Sequence, residues 1–376
     1  MIPADASSRL TAQLRAASSA QDEASFVEAF GDDRRARSFA RTAWSSLSAL
    51  DASDVELRYI SGGDVADRDD GSAQAVAEVS WRPGAASGLY PGTLHRASVA
   101  FRVVPHRDGT FAIVDAAPRT GLLPIWLIGD VTVEQVDSAV VISIDGGRAD
   151  HPVGELAARA HKTVARVLPK SARTDVVVVA ARTSQQMAWA IGQPVDAVQQ
   201  IAAVTTRLDV ADAAAQDAVI VLNPEVFATM DERAAQVVLS HEAVHQLTAA
   251  VGTSSETWVV EGFADYVALR DDTAPLSVSA GQILAEVTAG QVPIRLPRPS
   301  DFDAAGRGLG AVYESTWLIF RMLAEQHPES DLVTFYESVL SGTDIRTALR
   351  ETFDLTEQQA TAQWRDYLTK SASTVS

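Results

Sequence analysis

Apolar positions in the first fifty residues recur at helical spacing and then switch to alternation. Leu10 and Leu14 start one helix, and Asp22 opens DEASFVEAF, with Phe26, Val27 and Phe30 on one side and Gly31 as its stop. A third helix runs from Asp33 to Leu50 with Phe39, Trp44 and Leu47 inward. The period then changes: VELRYIS (55–61), AVAEVSW (75–81), RASVAFRVV (96–104) and FAIVDA (111–116) read as strands separated by Gly- and Asp-rich turns. Helices followed by a meandering sheet predict a small α+β unit. His95 and His106 fall near strand ends and are expected at the surface or in turns.

Prolines from Pro118 to Pro124 interrupt the pattern and place a domain boundary near residue 128, giving an α+β domain over 1–128 and a second domain over 129–376. Beyond it the order is strand 139–144, helix 153–168, strand 175–181, helix 184–191, and strands at 199–206 and 218–222. Asp231 is a natural N-cap for a helix that is apolar nearly all round (Ala234, Ala235, Val237, Val238, Leu239, Val244, Leu247), with Gly252 as its C-terminal stop. Such a helix is buried. TWVVEGFADYVALR forms another helix, in which Gly262 calls for a close approach of the two helices. After the prolines at 293, 297 and 299, AVYESTWLIFRMLAEQ places Tyr313, Trp317, Phe320 and Leu323 on one stripe. TFYESVL, DIRTALRETF and TEQQATAQWRDYLTK complete a helical subdomain.

The chemistry is concentrated in residues 241–265, HEAVHQLTAAVGTSSETWVVEGFAD. His241 and His245 fall on one face of a helix, so two imidazoles can reach one metal ion, with Glu242 beside them. Buried imidazoles beside a buried carboxylate need a partner, and a divalent cation is the economical one. Glu261 and Asp265 share a face of the next helix and can be delivered to the same point.

This stretch resembles the gluzincin metallopeptidases, in which HExxH is followed by a helix bearing a glutamate ligand in an E-G-x-A or E-x-x-x-D setting. Glu261-Gly262-Phe263-Ala264 and the Glu261–Asp265 pair meet both forms. The metzincin alternative needs Gly and His three and six residues past the second histidine, where this chain has Thr248 and Val251. The resemblance implies Zn²⁺ held by His241, His245 and Glu261, a fourth position for water, Glu242 as general base, and Asp265 fixing the tautomer of the His241 imidazole. Gluzincins also stabilise the oxyanion with a Tyr or His from the helical subdomain. Tyr313 is the candidate, with Tyr266 and His327 behind it, and a core tyrosine is the alternative reading. Arg307 could steer a substrate carboxylate. DAVIVLNPEVF resembles the edge strand that gluzincins offer to an extended peptide, which makes Asn223 a candidate substrate-binding residue; a plain core strand is the alternative. The order of elements in the N-terminal part resembles the NTF2-like cones, by pattern only. The implied architecture is therefore α+β throughout: an NTF2-like cone, then a gluzincin-like domain with mixed sheet, zinc-binding helices and C-terminal helical subdomain.

Composition narrows the partners. A net charge of −18 argues against nucleic acid, and no run of apolar residues is long enough to span a membrane. The N-terminus lacks the apolar core of a signal peptide, which reads as cytoplasmic unless an export or anchor segment precedes the chain. Cysteine is absent, so zinc must use His and carboxylate ligands. The expected activity is zinc-dependent hydrolysis of a peptide or protein substrate. The absence of a Gly-x-Met-x-Asn aminopeptidase signature leans towards an endopeptidase. The competing readings are a catalytically silent zinc scaffold that binds a peptide or partner, and a small-molecule binder acting through residues 1–128.

Overall fold

A computed structural model describes residues 4–62, 71–147, 151–168, 175–208, 218–303 and 308–375. The fold is α+β and divides into two compact units, residues 1–158 with 173–235, and residues 159–172 with 236–376.

The first unit opens with α1 (Ala4–Ser18), α2 (Glu23–Ala29) and α3 (Arg34–Ala49). Asp22 and Asp33 cap α2 and α3 through their carboxylates, as the sequence signals require. Strands β1 (Ser53–Gly62), β2 (Ala73–Arg82), β3 (His95–Pro105) and β4 (Phe111–Thr120) follow as an antiparallel meander in chain order. His95 departs from expectation. It is buried and stacks on Trp81 at 4.9 Å, because its side chain falls on the inward face of the β3 pleat.

Next come α4 (Ile125–Ile128), β5 (Val131–Val136), β6 (Ala139–Ile144), α5 (Val153–Val167), β7 (Val176–Ala180), α6 (Ser184–Ile191), β8 (Ala203–Arg207), β9 (Ala218–Leu222) and α7 (Pro224–Phe227). The five strands are ordered β5-β6-β7-β9-β8, with β6, β7 and β9 parallel and antiparallel strands at both edges. Continuous apolar runs such as VVVVA and AVIVL suit the interior of a parallel sheet. The break expected near residue 128 separates the two sheets, yet one apolar core continues across it, from Leu10 and Phe101 through Trp126 to Val179 and Val221. The buried Ser46 hydroxyl of α3 ties the two sides, donating to Gly129 O and accepting from Val131 N.

The second unit is helical. The division between units falls within α5 and within α8 (Glu232–Leu247). Then follow α9 (Thr257–Ala268), α10 (Leu276–Ser279), α11 (Gly281–Thr288), a 3₁₀ turn at Pro299–Phe302, α12 (Leu309–Gln326), α13 (Glu329–Leu340), α14 (Ile345–Phe353) and α15 (Glu357–Val375). Trp317, Phe320 and Leu323 form the buried stripe of α12, and Trp364 of α15 donates its indole N–H to Ser315 O. None of the described helices is long and apolar enough to cross a membrane.

Candidate metal centre

Helix α8 starts as its sequence suggests: the Asp231 carboxylate accepts from Ala234 N. It ends earlier than expected. Ala249 takes a left-handed turn (φ 55°) three residues before Gly252, which is left-handed as well (φ 79°), and Ala250 N closes back onto His245 O at 3.1 Å. The last turn of α8 therefore carries His245 just before its termination.

His241 and His245 project side by side, their rings 4.6 Å apart and nearly perpendicular. Glu261 of α9 completes the group. His241 Nε2 lies 2.9 Å from His245 Nε2 and 3.1 Å from Glu261 Oε2, and His245 Nε2 lies 3.5 Å from the same oxygen. Bonds of about 2.0–2.1 Å to a tetrahedral zinc ion separate ligand atoms by about 3.3 Å, so the three distances suit one such ion. The donor set, two imidazole nitrogens and a carboxylate oxygen, suits it chemically as well. Side chains here are only 11–18% exposed.

Asp265, one turn after Glu261, accepts from His241 Nδ1 at 2.7 Å. That bond places a proton on Nδ1 and turns Nε2 towards the cluster, so Nε2 is the nitrogen left bare when the imidazole is neutral. Burial pushes the His241 pKa down, but Asp265 and then Glu261 outweigh it and hold the imidazole well above the ordinary histidine value. Burial likewise pushes Glu261 up, and the two histidines reverse this and hold it far below the usual carboxylate range. A cation at this cluster would compete with a proton for the same nitrogen.

Gly262 serves a different contact from the one expected. A Cβ there would meet the Thr316 carbonyl oxygen at 2.8 Å and Phe320 at 2.9 Å, so the glycine admits α12 and not the histidine helix. This approach brings the first turns of α12 over the cluster. The Tyr313 ring lies 6.4 Å from that of His241, centroid to centroid, with Phe302 packed edge-on against it at 5.4 Å. Burial, followed by the fields of Glu261, Asp265 and Glu242, raises the Tyr313 pKa far above the ordinary phenol value. Tyr313 therefore lies within electrostatic reach of Glu261, Asp265 and Glu242. The Tyr313 hydroxyl makes no hydrogen bond among the described residues.

Tyr266 packs on Phe263 and Phe320 in the field of Glu329. His327 caps the far end of α12, about 20 Å along the helix from Tyr313 at 1.5 Å per residue, and packs on Phe353. Arg307 lies outside the described residues. Asn223 belongs to the first unit and is fully buried, where Oδ1 accepts from Ser184 Oγ and Glu225 N while Nδ2 donates to Val198 O. Its side chain is committed to capping α7. The strand before it, β9, is interior to its sheet and β8 forms the edge, because the antiparallel return of Ala203–Arg207 covers it.

No family model matches the sequence, and no curated protein matches it. Solved structures give loose matches. One is a two-domain M1 zinc metallopeptidase variant bound to L-tryptophan, with TM-score 0.38, 14% identity, and coverage of 80% of this chain and 61% of that one. Another is an M1 zinc metallopeptidase variant from Deinococcus radiodurans bound to a Tyr-Ser-Ala substrate, with TM-score 0.37, 13% identity, and coverage of 84% and 60%. The chain thus spans about three fifths of the length of these structures.

Proposed function

We propose that the protein is a zinc-dependent peptidase of gluzincin type, with His241, His245 and Glu261 as the metal ligands. The observation that carries this is the convergence of two imidazole Nε2 atoms and a carboxylate oxygen at separations of 2.9, 3.1 and 3.5 Å, with Glu242 on the adjoining face of α8. Bound there, Zn²⁺ would supply Lewis acidity, polarising a peptide carbonyl and bringing the pKa of a water towards about 7. Glu242 accepts the proton of the attacking water and passes it to the leaving amine. Tyr313 donates its hydroxyl to the oxyanion as charge develops; its raised pKa keeps the hydroxyl proton in place for that bond. Asp265 holds the His241 ring in the tautomer that presents Nε2. The helices and meander of residues 1–128 are read as an NTF2-like module serving as spacer or docking element.

Elemental analysis of the purified chain, paired with cleavage of a broad peptide library, tests the reading. It requires one zinc per chain and chelator-sensitive hydrolysis. Zinc without hydrolysis of any peptide would favour the silent scaffold, and no retained zinc would end both.

A further inference from the structure

Two helices carry the ligands, and their relative position sets the ligand triangle. Tyr336 of α13 touches both. Its ring stacks on Phe263 of α9, 4.0 Å between centroids and tilted by 17°, and Phe263 is two residues from Glu261. Its hydroxyl lies 2.8 Å from Thr248 Oγ1, three residues past His245 at the end of α8. The direction of that bond follows from the second partner of Thr248. The threonine hydroxyl spends its one proton on Val244 O, at 2.7 Å, so Tyr336 is the donor and Thr248 the acceptor. Tyr336 is fully buried, so both contacts are made away from solvent.

The segment it holds is strained. Ala249, next to Thr248, sits at φ 55°, a conformation that costs a residue with a Cβ and persists only where the surroundings over-determine it. Tyr336 supplies one such constraint from outside the helix. The Ala250 N to His245 O bond passes it to the ligand residue itself.

We propose that Tyr336 is a positioning residue for the metal centre, holding the His245 end of α8 against the Glu261-bearing α9 through one hydrogen bond and one ring stack. The inference rests on the zinc reading above. Partners that orient ligands change metal affinity by about 10- to 100-fold when removed, although they never touch the metal. Tyr336→Phe keeps the stack and deletes the donor. Thr248→Val keeps the volume and deletes the acceptor, whereas Thr248→Ser retains it.

The test is the zinc dissociation constant of the full chain, measured by competition with a chromophoric chelator, with metal-free melting temperatures recorded alongside. Tyr336→Phe and Thr248→Val should each weaken zinc binding by about tenfold or more, and Thr248→Ser should stay near the parent. The double variant Tyr336→Phe, Thr248→Val should be no weaker than the worse single one, because both changes cut the same bond. Affinity within about twofold of the parent in Tyr336→Phe would overturn the proposal, even with a lowered melting temperature, since that pattern belongs to a structural tyrosine. Should Tyr336→Phe fail to fold, the contrast between Thr248→Val and Thr248→Ser decides: equal affinities overturn the proposal. A parent chain that takes up no zinc would instead overturn the zinc reading, and this inference with it.

Discussion

Asp265 Oδ1 lies 2.7 Å from His241 Nδ1, on the side of the ring away from the atom that meets His245 and Glu261. The carboxylate therefore decides which nitrogen is bare once the imidazole is neutral. Asp265→Ala removes this control and leaves the three ligands in place. Zinc affinity should fall by about 10- to 100-fold, read by chelator competition. Unchanged affinity would show that the pair does not orient the ligand.

The pH dependence follows from two opposed shifts. His241 is raised in the folded protein, so its contribution to metal-free stability is complete below its ordinary value of 6.5 and is lost as pH rises through the raised value. Glu261 is depressed, so its contribution is present above its ordinary value of 4.5 and is lost as pH falls through the depressed value. Metal-free protein should accordingly lose stability on the alkaline side as His241 gives up its proton. Zinc needs that nitrogen unprotonated, so its stabilising effect should grow over the same range. Melting temperatures from about pH 5 to about pH 9, with and without zinc, should diverge as pH rises. A constant gap would contradict His241 as a ligand.

Gly262 offers a test of how Tyr313 is delivered. In an open helix, Gly to Ala gains about 1 kcal/mol. Here the new methyl would press on the Thr316 carbonyl at 2.8 Å, so Gly262→Ala should instead cost about 1–3 kcal/mol in denaturant unfolding. Turnover should fall as well, because Tyr313 is carried on α12. A stabilised variant would mean that the two helices do not meet there.

How far the chain discloses itself depends on the range of each contact. The pairing of His241 with His245 was legible because helix geometry alone aligns residues one turn apart, and that of Glu261 with Asp265 followed on the same rule. The starts of α2, α3 and α8 were legible from local caps at Asp22, Asp33 and Asp231. Contacts set by tertiary packing were not. Gly262 signalled a close approach without naming α12 as the partner. The interior place of β9 depends on β8 returning beside it, which strand alternation cannot specify. The burial of Asn223 and the Tyr336–Thr248 bond, 88 residues apart in sequence, left no local trace.

Tyr313→Phe separates an oxyanion donor from a packing residue. The ring stays against Phe302 and His241, so the melting temperature should change little. With zinc content intact, kcat should fall by about ten- to a thousandfold, with KM less affected. Lowered stability with normal kcat would remove Tyr313 from the chemistry.

The central claim, that a metal held by His241, His245 and Glu261 works with Glu242 to hydrolyse peptides, is tested most directly by Glu242→Gln. The amide keeps the shape of the carboxylate but cannot take a proton from water. Turnover of a cleavable library peptide, measured at equal zinc content in parent and variant, should drop by at least about a hundredfold. Undiminished turnover at full zinc occupancy would contradict the account.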